Sequence, residues 1–508
     1  MRRIPSLIGS LLAALTLAGV AHGGLSVGVS EDRGKQSDAM GFFNTMQDLG
    51  MTENRVSVIW NPSQPTTIPE RGSIQSWLPL AQKAGVRIVF AVTTQHARDL
   101  TSSPVAAAQF ATFLGQLAQA FPQVKDYVIG NEPNQPYFWL PQFSPAGQPL
   151  SAAAYEPVLA QAYDALKAVD PTINVIGIGL SPRGNDNPNA KNNRSRSPVR
   201  FLHELGEAYR ASGRTKPLMD QLAFHPYPRS NEDPPSVGYA WPNAGIPNLD
   251  RIKQAVWDAF HGTAQPTFAE TGIRRSFASP PPLTLDLDEI GWQVAIPPTL
   301  ANLYHGVEDQ PTVDEATQAL YYSQSIIDAE CDPSVRSLSF FLLMDEPNLT
   351  HWQSGLERLD GSHRPSYDAV KQTMGQTHGA CQGTPMAWTH TSRVVAPLTS
   401  WGGVRHYKAS RRRWSFRAGA GEEALFRAAV FKARMKPRAI ARRLASGRPK
   451  PFLGVSGTIK AKSRVVSFPS RRLKPGRYVF AIRMQATMNP ARVTLLISRA
   501  FTVGKRRR

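Results

Sequence analysis

Residues 87–134 read RIVFAVTTQHARDLTSSPVAAAQFATFLGQLAQAFPQVKDYVIGNEPN. The opening run, 87–93, is nearly continuous in Val, Ile, Phe and Ala, as a strand buried on both faces should be. Apolar residues then recur at helical spacing over 104–120, and a second apolar run follows at 127–131. This is a strand, a helix and a second strand that must lie parallel to the first.

The same rhythm extends in both directions. Strand-like runs occur at 25–30, 55–60, 87–93, 127–131, 174–180, 218–225, 267–270 and 337–344. Helical patterns fall between them, for example at 39–49, 74–83, 104–120, 152–169, 199–209 and 314–329. Eight strand–helix units over residues 24–384 predict a (β/α)8 TIM barrel. Loop lengths agree. Helix-to-strand connections such as 84–86, 170–172 and 331–336 are short, whereas strand-to-helix connections at 132–151, 181–198, 226–248 and 271–313 are long. In a barrel the long set emerges on one face, where active sites sit. A doubly wound open sheet is the competing fold. No Gly-rich loop follows the first strand, so that alternative brings no dinucleotide with it.

The chain has 508 residues and a formal net charge of +20, unevenly placed. Residues 385–508 hold 30 basic and 2 acidic side chains, whereas the preceding part carries 28 basic and 36 acidic ones. An acidic body and a basic end predict two units with different jobs. After a linker at 385–404, strand-like alternation over 405–504 predicts a small Ig-like β-sandwich, followed by a basic tail at 505–508. Its charge is compatible with a plain solvated surface or with an anionic cell-wall or extracellular polymer. Nucleic acid is disfavoured, because no recognised nucleic-acid motif accompanies the charge. At the other end Arg2 and Arg3 precede an apolar stretch at 7–20, and Ala21 and Gly23 are small. Residues 1–23 read as a secretory signal peptide, which predicts an extracellular or cell-surface protein without a later transmembrane span. The chain's two cysteines, Cys331 and Cys381, exclude a four-cysteine zinc site. One precedes the last barrel strand and the other follows the last barrel helix, so they belong on the same face and are expected to form a disulfide.

Two glutamates fall at strand ends on the expected catalytic rim: Glu132 after the fourth strand, and Glu270 ending the run read as the seventh. Glycosidic hydrolysis needs two carboxyl groups flanking one bond. Asp345 and Glu346 are rivals for the second role, since they also end a strand. The aromatics Tyr137, Phe138, Trp139, Tyr239, Trp241, Trp292 and Trp352 lie in rim loops or just past strands, where rings stack on sugars as readily as they pack loops. No metal-binding spacing, nucleophile elbow or phosphate loop is present, so no metal or cofactor is expected.

Several pieces, in order, resemble the clan A glycoside hydrolases, which include the family 5 cellulases and family 39 β-xylosidases. They are Arg55 on strand 2, Asn131-Glu132-Pro133 after strand 4, His225-Pro226-Tyr227 closing strand 6, Glu270, and Gly355-Leu356 through Asp360-Gly361 to Arg364-Pro365-Ser366-Tyr367 before the last helix. The resemblance spans about residues 25–376. It implies a retaining hydrolase of β-linked glycans, with Glu132 as acid/base and Glu270 as nucleophile. It further implies that Asn131 binds the sugar 2-hydroxyl and that Arg55, His225 and Tyr227 orient the nucleophile. Trp139, Trp241 and Trp352 are candidate sugar platforms. The clan's strand-8 tryptophan aligns with Leu343, a departure that keeps a second reading in play: a non-catalytic carbohydrate-binding or wall-attached barrel. A third reading places the function in the basic domain, as a polyanion-binding protein.

Overall fold

The computed structural model describes residues 24–273, 280–401, 406–408, 411, 413–446, 453–468 and 473–504. The signal-peptide reading (1–23) and the terminal basic tail (505–508) lie outside the described residues.

Eight parallel strands close into a barrel in chain order: β1 (Ser26–Ser30), β2 (Glu53–Trp60), β3 (Arg87–Thr94), β4 (Asp126–Ile129), β5 (Asn174–Leu180), β6 (Gln221–Phe224), β7 (Thr284–Ile290) and β8 (Val335–Phe340). Eight helices surround them: α1 (Ala39–Leu49), α2 (Arg71–Lys83), α3 (Ala106–Ala120), α4 (Ser151–Val169), α5 (Pro198–Ser212), α6 (Leu249–Phe260), α7 (Glu315–Glu330) and α8 (Pro365–Thr377). The outward strand residues join the inner helix faces in one apolar layer, with Phe43, Trp60, Phe110, Leu159, Phe201 and Tyr322 among its fully buried side chains. No helix among the described residues is long and apolar enough to cross a membrane.

The barrel interior has a different chemistry. A small apolar plug of Val89, Ala91, Val128, Ile176 and Ala223 fills part of it. At the amino-terminal ends of the strands lies a polar belt. Arg87 pairs with Glu53 and, at 2.9 Å, with Asp126. Asn174 donates to Asp126 at 2.8 Å and to Gln221 at 2.6 Å, and Gln221 donates to Thr284 at 2.9 Å. Buried polar groups persist only where they are paired, and this belt links the lower rim from β2 round to β7.

The seventh strand corrects the sequence reading. Residues 267–270 are not a barrel strand; only Phe268 makes an isolated bridge, to Leu283, just before β7 begins. The strand itself is Thr284–Ile290, TLDLDEI, and every residue after Thr284 is buried. Leu285 and Leu287 join the outer apolar layer, whereas Asp286 accepts from Ser337 and Asp288 meets Arg55 inside the barrel. The alternation is that of a strand with a charged inner face. The run 267–270 therefore belongs to the α6–β7 connection, and the long rim loop after β7 runs over 291–314.

Cys331 caps the end of α7 and is bonded to Cys381, which follows α8; their Cα atoms are 4.6 Å apart. Beyond the barrel, mainly antiparallel sheets form a second unit consistent with a β-sandwich. One sheet holds β10 (His406–Tyr407), β17 (Phe501–Val503), β15 (Gly476–Ala486), β12 (Glu423–Lys432) and β13 (Leu453–Lys460) in that order, with β16 (Val493–Ile497) also on β15. The other holds β14 (Arg464–Ser467), β11 (Ser415–Gly419) and β9 (Leu398–Ser400). Trp414, Phe416, Phe426, Phe480 and Phe501 fill the space between them. A helix not expected from the sequence, α9 (Pro437–Ala445), covers part of the outer face through Ile440 and Leu444. The two units meet through charges. Arg492 contacts Glu422 and, at 3.0 Å, Asp258 of α6, while Glu423 meets Arg200 of α5 at 3.3 Å.

Candidate active site

The carboxy-terminal ends of the strands open into a cavity of about 1360 Å³. Four strands deliver its charged floor. β2 contributes Arg55, the turn after β4 gives Asn131 and Glu132, the end of β6 gives His225 and Tyr227, and β7 gives Asp288 and Glu289.

Local backbone explains how two consecutive acids reach one place. Along the β7–β8 pair Leu287 faces Leu338 and Ile290 faces Phe340, so β7 carries one extra residue there. A bulge of this kind re-aims side chains that would otherwise point to opposite faces. Asp288 and Glu289 consequently share the Arg55 guanidinium: Nε lies 2.9 Å from Asp288 Oδ2, and Nη1 lies 2.8 Å from Glu289 Oε1. Arg55 also donates from Nη2 to Asn131 Oδ1 at 2.8 Å and from Nη1 to Ser30 at 2.9 Å. The fork of a guanidinium suits this work, because its donors are fixed in one plane.

On the opposite wall the chain turns sharply after β4. Gly130 has φ 81° and Glu132 φ 39°. A non-glycine residue in the left-handed region is a local cost, tolerated where surrounding contacts hold it. Glu132 N–H donates to Gly179 O at 2.9 Å. Gly179 itself has φ +60°, and a Cβ there would press on His225 Nε2 at 3.3 Å. Fully buried His225 then joins the two walls. Its Nδ1 is 2.8 Å from Glu132 Oε1 and 3.5 Å from Glu289 Oε2, and its Nε2 is 3.2 Å from Asp288 Oδ1. Tyr227 donates its hydroxyl to Glu289 Oε2 at 3.1 Å.

The electrostatics follow from this packing. Burial works against charge on His225, but the Glu289 and Asp288 carboxylates outweigh it and raise its pKa well above the ordinary 6.5. The direction favours the charged imidazole, whose two ring nitrogens face carboxylates on either side. Burial likewise opposes charge on Asp288, yet His225 and Arg55 bring its carboxyl below the usual range. Glu289 is pushed upward, by burial first, with His225 and Arg55 pulling against that. Burial and the Glu289 charge raise the Tyr227 phenol well above 10, which keeps it a donor.

The expected site residues divide. Arg55, Asn131, Glu132, Tyr227 and Trp352 line the cavity, and His225 lies directly beneath it. Glu270 does not reach it. It sits beside the amino-terminal end of β7, at the other end of the barrel, and accepts from the backbone N–H of His390 at 2.7 Å. The acid held by Arg55, His225 and Tyr227 is Glu289. Of the rivals, Asp345 is bound bidentately by Arg364, both contacts at 2.6 Å, and Glu346 accepts from Trp352 N–H at 3.0 Å.

Among the aromatics, Trp139 is buried against Tyr155 and Trp241 lies under Arg200 near the second unit, so neither is a cavity platform. Tyr239 and Trp292 are likewise buried, each donating to a loop carbonyl. Leu343 turns into the core. The aromatic lining of the cavity comes from three of the expected rings, Tyr137, Phe138 and Trp352, together with Phe341 just past β8; the Trp352 ring lies 4.8 Å from Tyr227. Trp352, Tyr227 and Glu132 also border a second hollow of about 570 Å³ on their far side. Glu289 borders only the first. Among the described residues no group of three or more His, Cys, Asp and Glu side chains is arranged to hold a metal ion.

No family model matches the sequence, and no curated protein matches it. Solved structures similar to this chain include a family 39 glycoside hydrolase from the gut symbiont Bacteroides cellulosilyticus WH2, at 15% identity and TM-score 0.47, covering 89% of this chain and 81% of that one. A monomeric beta-xylosidase from Caulobacter crescentus CB15 is similar at 13% identity and TM-score 0.44, covering 91% and 96%. A glucosidase from Croceicoccus marinus is similar at 13% identity and TM-score 0.45, covering 88% and 93%.

Proposed function

We propose that the barrel is a retaining glycoside hydrolase of the clan A type, exported from the cell and acting on a β-linked glycan. One observation carries the reading: carboxylates from the ends of β4 and β7 meet on a single imidazole nitrogen at the floor of the large cavity. Sharing one ring nitrogen favours a close pair, as retention requires (about 5–5.5 Å), over the wider gap of about 6.5–9.5 Å that admits a water in inverting enzymes.

The roles follow from the surroundings. Glu289, oriented by Arg55 and Tyr227, attacks the anomeric carbon as the bond to the leaving oxygen breaks. Glu132 Oε1 is occupied by His225, so the other oxygen carries the proton delivered to that leaving group. Glu132 borders both hollows, which suits a group placed between the sugar being transferred and the portion that departs. In the second step Glu132 takes a proton from water, the water attacks the anomeric carbon, and the ester to Glu289 is released. Asn131 accepts from Arg55 through Oδ1, which leaves its amide N–H groups for the sugar 2-hydroxyl.

The test is hydrolysis of a panel of 4-nitrophenyl β-glycosides. Glu289→Ala and Glu132→Ala are each expected to lose at least about a thousandfold, within the range of covalent and acid–base catalysis, while Glu270→Ala keeps the wild-type rate. A 2-fluoro glycoside that arrests the second step should leave its mass on the peptide containing Glu289. Full activity in the Glu289 variant, or the label on another peptide, refutes the assignment.

A further inference from the structure

The carboxy-terminal unit has a one-sided charge. Residues 385–508 contain two acids, Glu422 and Glu423, against 30 basic residues. Both acids face the barrel: Glu422 is buried on Arg492, and Glu423 is paired with Arg200 of α5. The side turned away from the barrel therefore carries cations without a carboxylate of its own domain to neutralise them. The barrel portion, with more acids than bases, shows that this excess is particular to the domain.

The outer face of the larger sheet concentrates the charge. In the β12–β15 ladder Arg427 stands directly opposite Arg483. Like charges in facing positions are destabilising. Burial and the Arg427 charge both lower the Arg483 pKa, as repulsion at that position requires. Arg427 donates to Ala445 O at 2.7 Å, which ties this row to the end of α9. Arg434, Lys436, Arg438, Arg442 and Arg443 are all exposed on α9 and the turn before it. Among the described residues Arg427 and Arg483 donate only to neutral oxygens, of the α9 backbone and of Gln485, and a guanidinium fork matches carboxylates bidentately.

We propose that this face, α9 with the Arg427/Arg483 row, binds a carboxylated polysaccharide and holds the barrel against it. Charge complementarity selects a polyanion. The absence of exposed aromatic rings among the described residues of the domain argues against stacked single-stranded bases. The preference for a polysaccharide over duplex nucleic acid rests in part on the glycosidase reading of the barrel. Binding, however, is measured without reference to hydrolysis.

The experiment uses the full chain and immobilised polygalacturonate, with dextran and double-stranded DNA alongside, at 50 and 200 mM NaCl. Polygalacturonate should bind at low salt and weaken at least about tenfold at the higher salt, as counterion release predicts. Dextran should not bind. Arg438→Gln/Arg442→Gln/Arg443→Gln should weaken binding at least about tenfold. Arg483→Gln should weaken it about two- to fivefold while keeping or raising the melting temperature, since it also removes a repulsion; a merely structural arginine would lower it. Salt-insensitive binding, equal binding of dextran, or wild-type affinity in both variants overturns the proposal. Tighter binding of DNA than of polygalacturonate at equal anionic charge assigns the face to nucleic acid and overturns it as well.

Discussion

Arg55 is the hinge of the site, and replacing it with Met isolates what it does. The guanidinium, only 5% exposed, faces Asp288 at 2.9 Å and Glu289 at 2.8 Å and donates to Asn131 and Ser30. Met fills much of the same volume but leaves two buried carboxylates with His225 as their remaining cation. Breaking a buried pair by removing one partner costs about 3–5 kcal/mol, because the abandoned charge stays desolvated. Asp288→Asn removes one abandoned charge at nearly constant shape. The double variant should therefore be less destabilised than the sum of the singles, with a coupling of about 0.5–3 kcal/mol, as for groups in one network. Urea unfolding of the four proteins measures this. The same substitution has a catalytic signature of definite sign. Arg55 holds the Glu289 carboxyl down against burial; without it Glu289 ionises later, and the acid limb of kcat/KM against pH moves to higher pH. Additive unfolding energies, or an acid limb that stays in place, would show that Arg55 neither neutralises this pair nor orients the proposed nucleophile.

His225 gives a second pH test. Its folded pKa is raised well above 6.5, so its contribution to stability is fully present below about pH 6.5 and is lost as pH rises through the folded value. His225→Gln should flatten that alkaline decline in a thermal-melt series, and an unchanged slope would count against the protonated imidazole. The Cys331–Cys381 bond closes a separation of 50 residues. On the chain-entropy estimate, Cys331→Ser/Cys381→Ser should cost about 4 kcal/mol in urea, with the proposed glycoside hydrolysis by the folded protein unchanged. Trp352→Ala should raise KM about tenfold with a much smaller effect on kcat if its ring supports bound sugar; a loss confined to kcat would instead place it on the chemical step.

The barrel was legible because its outer layer obeys simple rules. Runs such as 87–93 and 174–180 show apolar residues on both faces, and short helix-to-strand turns fixed which rim carries the long loops. Glu132 was legible for the same reason, lying just past an unmistakable strand. Arg55, His225 and Tyr227 were expected around Glu270; in the fold they gather around Glu289. Glu289 escaped that reading because β7 breaks the rule used to find strands. Its inner face carries Asp286 and Asp288, charges that Ser337, Arg55 and His225 make tolerable, and no local pattern announces partners from three other strands. A bulge then brings Glu289 onto the same guanidinium, which period-two alternation would forbid. Two signals were nonetheless present. The alternation of Leu with Asp in TLDLDEI is a strand pattern once a polar barrel interior is allowed. A structureless loop across 271–313 is also longer than compact domains ordinarily tolerate, and such a loop argues against the element assignment that creates it. The aromatic rings show the same limit. Trp139, Trp241 and Trp352 all stand in rim loops by sequence, yet only Trp352 of the three folds back onto Tyr227 to line the cavity, because contact, not spacing, decides which ring a loop presents.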